Sequence, residues 1–161
     1  MDLLAILVGV LTTEWTFIFA ARHLFGKYIN DWYTNYSGWA VLSDISSITI
    51  GIFIAMYFYT GDNLLILIGV AVLVQWVHDF LFYILVIRRL PEKTNGIIDI
   101  LKPYAQDAGV LALVGDSWMM VGSLLGASLA SELPVNGQIF ALLVGGYMLP
   151  YAIYQRPRAL S

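Results

Sequence analysis

The chain has 161 residues, 60% of them apolar and 12% charged, with a net charge of −3 and no cysteine. A soluble domain is nearer ~45–50% apolar and ~25% charged; so few charges could not cover so much apolar surface. The class is therefore an integral membrane protein. Missing cysteines exclude disulfides, iron–sulfur clusters, zinc–thiolate sites and thiol redox chemistry. The weak negative charge gives no basic patch for nucleic acid.

A spanning helix takes ~20 mostly apolar residues. Five stretches qualify, at about 3–24, 39–60, 64–87, 109–131 and 137–155. The expected architecture is all-α: one membrane domain over residues 1–161, folded as a polytopic five-helix bundle. Met1-Asp2 opens the chain without a basic region, so no secretory signal is read and the first helix is expected to stay. The segment at 25–38 carries Tyr28, Trp32, Tyr33 and Tyr36, ring systems with polar tips that favour the membrane–water interface. Gly61-Asp62-Asn63 is a tight turn, which makes the second and third spans a hairpin. The segment at 90–108 holds a short apolar-polar stretch, Ile97–Leu101, which Pro103 is expected to end. Residues 132–136 form another short turn before the last span.

All eight basic residues follow odd-numbered spans: Arg22, Lys27, Arg88, Arg89, Lys93, Lys102, Arg156 and Arg158. The positive-inside rule then puts the N-terminus outside and the C-terminus in the cytoplasm.

Four carboxylates fall inside spans. Glu14 is near the middle of the first; Asp44, Asp79 and Asp116 lie in the cytoplasmic halves of the second, third and fourth. Each costs ~2.5–3.5 kcal/mol at a helix centre, so all should face the bundle interior. No Lys or Arg lies deep in a span, and His78 is the one deep basic group. The acids therefore cannot all be ionised and paired, which leaves protonation, or neutralisation by cations or water. Both point to proton or small-cation handling, with Gln75 and Ser117 as auxiliaries beside Glu14, Asp44, His78, Asp79 and Asp116. The alternative is that protonated carboxyls act as interhelical glue. Helix geometry separates His78 from Asp79 by about 100°, so Asp44 or Asp116 is the expected partner of the imidazole.

Gly115, Gly122 and Gly126 line the fourth span with a G-x-x-x-G spacing that allows close helix approach, within the bundle or between copies in a homo-oligomer. Two segments repeat loosely. Glu14-Trp15 matches Gln75-Trp76, and Ala40–Asp44 matches Ala112–Asp116. Two parallel-repeat hairpins plus a fifth helix are expected, with any bound species between the halves.

No intramembrane lysine is present for a retinal Schiff base, and a single deep histidine excludes bis-histidine haem ligation. No metal-binding or cofactor motif is present. Three function classes remain. First comes a channel- or transporter-like protein with an acidic, cytoplasm-facing cavity. Second is a structural or assembly protein of a viral or host-derived membrane. Third is a membrane enzyme acting on a lipid or isoprenoid, with His78 and an aspartate as acid and base.

The runs Val77–Tyr83, Asn95–Ala105 and Gly115–Met120, with Pro150-Tyr151, carry a resemblance across about residues 30–155. The chain resembles a family of small multipass membrane proteins from large nucleocytoplasmic DNA viruses and related environmental sequences. Lys102-Pro103 departs from the polar or acidic residue expected after the lysine. The resemblance implies a viral or virus-like membrane and no mechanism.

Overall fold

A computed structural model describes residues 1–23 and 27–154. Five long helices are apolar enough to cross a membrane: α1 (Leu3–His23), α3 (Gly38–Phe58), α4 (Leu64–Phe82), α6 (Val110–Ala130) and α7 (Val135–Tyr154). Two short amphipathic helices, α2 (Lys27–Tyr36) and α5 (Gly96–Ala108), lie between spans. Among the described residues there is no strand. The protein is an all-α integral membrane bundle. Large apolar side chains such as Phe58, Leu65, Phe140 and Leu143 stay on the outside, where acyl chains cover them.

Short polar side chains start α1, α4 and α5. Asp2 accepts from the Ala5 amide at 2.8 Å, Asn63 from Leu65 and Ile66, and Asn95 from Ile98 at 3.0 Å. Each satisfies amides that helix geometry leaves without partners.

Pro103 does not end α5, contrary to the sequence expectation. The helix runs on to Ala108. Proline removes one hydrogen bond, here to the carbonyl of Asp99, while its fixed φ stays helical. The Asn95 cap, a Lys102 Nζ bond to the Leu90 carbonyl at 2.8 Å and packing on α2 hold the rest. At its far end α4 passes into a π turn, Tyr83–Ile87, closed by the Arg88 amide on the Tyr83 carbonyl at 2.8 Å.

The two halves share one plan: a spanning helix, a short amphipathic helix, a sharp junction and a second spanning helix. The junctions coincide in conformation. Ser37 has φ 48° and ψ −119°, and Gly109 has φ 49° and ψ −120°. Asp44 and Asp116 each stand seven residues past their junction, while Trp32 and Tyr104 each stand five before it. The packing follows the same exchange: α2 meets α5, α3 meets α6, α1–α3 mirrors α4–α6, and α1–α6 mirrors α3–α4. α7 lies outside this set, against α1.

The mirror is imperfect where α1 crosses α6. A Cβ on Gly9 would overlap the Ser123 carbonyl oxygen and the Ala127 amide nitrogen, and one on Gly126 would stand 2.9 Å from Gly9 Cα. Gly122 is crowded in turn by Thr13, at 2.8 Å. These glycines let the two backbones touch inside one chain. Gly115 faces the Phe17 ring at 3.5 Å, an ordinary contact.

Candidate functional site: a membrane-embedded acid network

The four acids converge. α1 supplies Glu14, fully buried, and α3 supplies Asp44. Between them stands Tyr33 of α2, 1% exposed. Its hydroxyl lies 3.0 Å from Glu14 Oε1 and 2.9 Å from Asp44 Oδ2. Trp32 donates its indole N–H to the same Asp44 oxygen at 3.4 Å. α2 reaches them because Ile29, Trp32, Tyr33 and Tyr36 recur at helical spacing, which gives the helix one inward face.

The second half supplies the other pair. On α4, Gln75 donates to Asp79 Oδ1 at 2.7 Å, one helical turn away. Asp116 of α6 stands within hydrogen-bonding reach of Asp79 and close to Asp44. Tyr104 of α5 sits among Asp116, Asp79 and Asp44. Burial, then those three carboxylates in that order, push its phenol well above the ordinary range. Burial also raises the Tyr33 phenol, with Asp44 and Glu14 adding to the rise. Both phenols are thus held neutral, and the Tyr33 hydroxyl is the one set to donate to a carboxyl here.

Proton counting constrains this arrangement. A tyrosine hydroxyl carries one proton and faces two carboxyls, and Asp79 faces Asp116 with no other donor on its Oδ2. Satisfying both pairs takes a proton on one carboxyl of each. Glu14 Oε2 also has no partner. The described residues include no Lys or Arg ion pair in this network.

His78 is corrected in one respect. Its partner is Asp79, with Nδ1 3.1 Å from Oδ1, rather than Asp44 or Asp116. Adjacent side chains leave a helix in different directions, yet these two are long enough to meet at their tips. The imidazole side chain is 54% exposed and stacks on Phe82, so it forms the outer end of the network.

Asp44, Gln75, His78, Asp79 and Asp116 line one cavity of about 900 Å³. Aromatic and aliphatic side chains of α2, α4, α5 and α6 make most of its wall. Glu14 lies behind Tyr33, outside that lining. Ser117 is not brought to the cavity. It accepts from the Trp76 indole at 2.9 Å and donates to the Leu113 carbonyl at 2.6 Å, fastening α4 to α6. Trp15 ties α1 to the Gly145 carbonyl of α7, while Trp118 faces outward. Among the described residues no three His, Asp or Glu side chains approach closely enough to hold a metal ion. Of the basic residues, Arg156 and Arg158 and the side chains of Arg22 and Lys27 lie outside the described residues.

Sequence reasoning missed Tyr33 and Tyr104. The signal was present in the amphipathic spacing of the two short helices, but interfacial tyrosines are ordinarily read as membrane anchors. Comparison with protein-family models, curated proteins and solved structures finds no match.

Proposed function

We propose that the protein binds and passes protons through this acid network, as a channel- or transporter-like membrane protein. The observation that carries the reading is the Tyr33 hydroxyl set between Glu14 and Asp44. A hydroxyl that accepts from one carboxyl while donating to the other moves a proton without moving heavy atoms. From Asp44 the path runs to Asp116, then Asp79, then the half-exposed imidazole of His78. Gln75 holds Asp79 in position by its amide. Convergence of Asp44, Asp79 and Asp116 on one cavity favours this reading over an assembly scaffold, for which private, dry carboxyl contacts would suffice. Protons fit better than small metal cations, since the carboxyls are bonded by neutral donors.

In this reading α2, α5 and the cavity lie at the cytoplasmic side, as the basic residues require. The N-terminus is outside. The resemblance noted for Val77–Tyr83 adds a viral or host internal membrane as the proposed location.

The test is dye-monitored proton flux in proteoliposomes under an imposed pH gradient. Wild type is expected to dissipate the gradient faster than empty vesicles. Asp44→Asn and Asp116→Asn should return the rate to the empty-vesicle level, while Asp62→Asn in the far turn should not. Wild-type flux equal to empty vesicles, or full flux in both variants, would refute the reading.

A further inference from the structure

The acid network accounts for only part of the cavity that contains it. A relay needs a file of donors and acceptors, not about 900 Å³ of mostly aromatic and aliphatic wall. That volume is of the size that encloses an organic molecule, ~300–1,000 Å³. Its rim includes Phe80, Tyr83 and Val110, which are 63%, 45% and 74% exposed. All three belong to the membrane-spanning part of α4, its π turn or α6, so the opening faces the bilayer side. An occupant entering there is lipid-soluble.

The floor defines its polar part. Asp44, Asp79 and Asp116 line the cavity, and no described Lys or Arg does. Trp32, Tyr33 and Tyr104 line the cavity with those acids, and aromatic rings attract a cation. A carboxylate-lined floor repels anions and leaves a neutral apolar guest without compensation for the buried acids.

We propose that the cavity binds a lipophilic organic cation, a molecule with a protonated or quaternary amine-like centre and an apolar body, entering from the bilayer between α4 and α6. The positive centre rests on Asp79 and Asp116 and the body lies along the aromatic wall. Binding replaces the proton these two carboxyls share, so the cation and the proton compete for one site. The proton competition rests on the reading above; the cavity and its charge do not.

The groups that titrate around the site are the carboxyls of Glu14, Asp44, Asp79 and Asp116 and the imidazole of His78. Tyr33 and Tyr104, whose phenols are held high, stay neutral over the range of the experiment. Acidification adds protons to this acidic cluster, and the loss of negative charge weakens cation binding.

The experiment is equilibrium binding of tetraphenylphosphonium to the full chain in lipid nanodiscs, with tetraphenylborate, its anionic counterpart in shape, as control. Saturable binding of the cation above empty discs is expected, released on acidification, with no saturable binding of the anion. Asp79→Asn and Asp116→Asn should each weaken it about tenfold, the equivalent of ~1.4 kcal/mol. Asp116→Glu, which keeps the charge, should retain it and shows that loss is not misfolding. Glu132→Gln, in the turn at the opposite end, should leave it unchanged. Equal uptake of cation and anion, no saturable uptake of either, or undiminished binding in both Asn variants would overturn the proposal. Proton flux measured on the same preparation separates the two claims. Flux without cation binding removes this ligand alone. Cation binding without flux removes the proton pathway and leaves the ligand site standing.

Discussion

Tyr33→Phe isolates the hinge of the network, because it deletes one oxygen and leaves the ring in place. Glu14 is fully buried, and its Oε2 already lacks a partner. Loss of the Tyr33 hydroxyl takes away the 3.0 Å contact to Oε1 and leaves both oxygens bare. Leaving a buried polar group unsatisfied costs ~1–3 kcal/mol. Asp44 loses its 2.9 Å bond but keeps the weaker Trp32 contact at 3.4 Å, so its share is smaller. The expected destabilisation is therefore about 2–4 kcal/mol. Reversible unfolding in mixed micelles reads it, provided the transition is two-state. The decisive form is a double-mutant cycle with Glu14→Leu. Once the carboxyl is gone, Tyr33→Phe has less to break, and the two changes should fall short of additivity by ~1–3 kcal/mol. Additivity within ~0.5 kcal/mol would mean that the hydroxyl and Glu14 do not interact, and the bridge would be refuted.

Other expectations follow from single positions. Gly9→Ala and Gly126→Ala push a methyl into backbone atoms at the α1–α6 crossing and should each cost ~1–3 kcal/mol, while Gly115→Ala, against a ring at 3.5 Å, should be nearly silent in the same unfolding assay. Ser37 holds a positive φ of 48° that costs a side chain ~1–3 kcal/mol, so Ser37→Gly should stabilise and Gly109→Ala should destabilise. The raised phenols make a pH prediction. Below the ordinary phenol pKa of ~10 both folded and unfolded tyrosines are neutral, and the stability they support is fully present. As pH rises past that value the unfolded chain ionises Tyr33 and Tyr104 while the folded one does not, so stability should fall with rising alkalinity. Ultraviolet phenolate titration of folded protein should be unchanged by Tyr33→Phe until unfolding begins. Early loss of phenolate signal in that variant would contradict the buried placement.

Much of the fold was legible because hydropathy and helix length are local properties. The five spans fall within a few residues of their expected bounds, and the repeat showed in the run ending at Asp44 and its counterpart ending at Asp116. The place of each acid along its span was legible for the same reason. Their meeting was not, because the rotation of one helix against the next is set by contacts such as Gly9 on Ala127, which no single helix encodes. Pro103 misled because a proline's local cost can be outweighed by a cap and a neighbouring helix. His78 misled because backbone direction was taken for side-chain reach. Tyr33 and Tyr104 were hidden by the commoner use of tyrosine at a membrane surface.

In this reading shared protons, not cationic side chains, neutralise the embedded acids. Infrared spectroscopy of the protein in bilayers at neutral pH tests it directly, since a protonated carboxyl has a carbonyl stretch that a carboxylate lacks. Wild type should show that stretch, with one component lost in Glu14→Gln or Asp44→Asn and another in Asp79→Asn or Asp116→Asn. Absence of any protonated-carboxyl signal at neutral pH would contradict it.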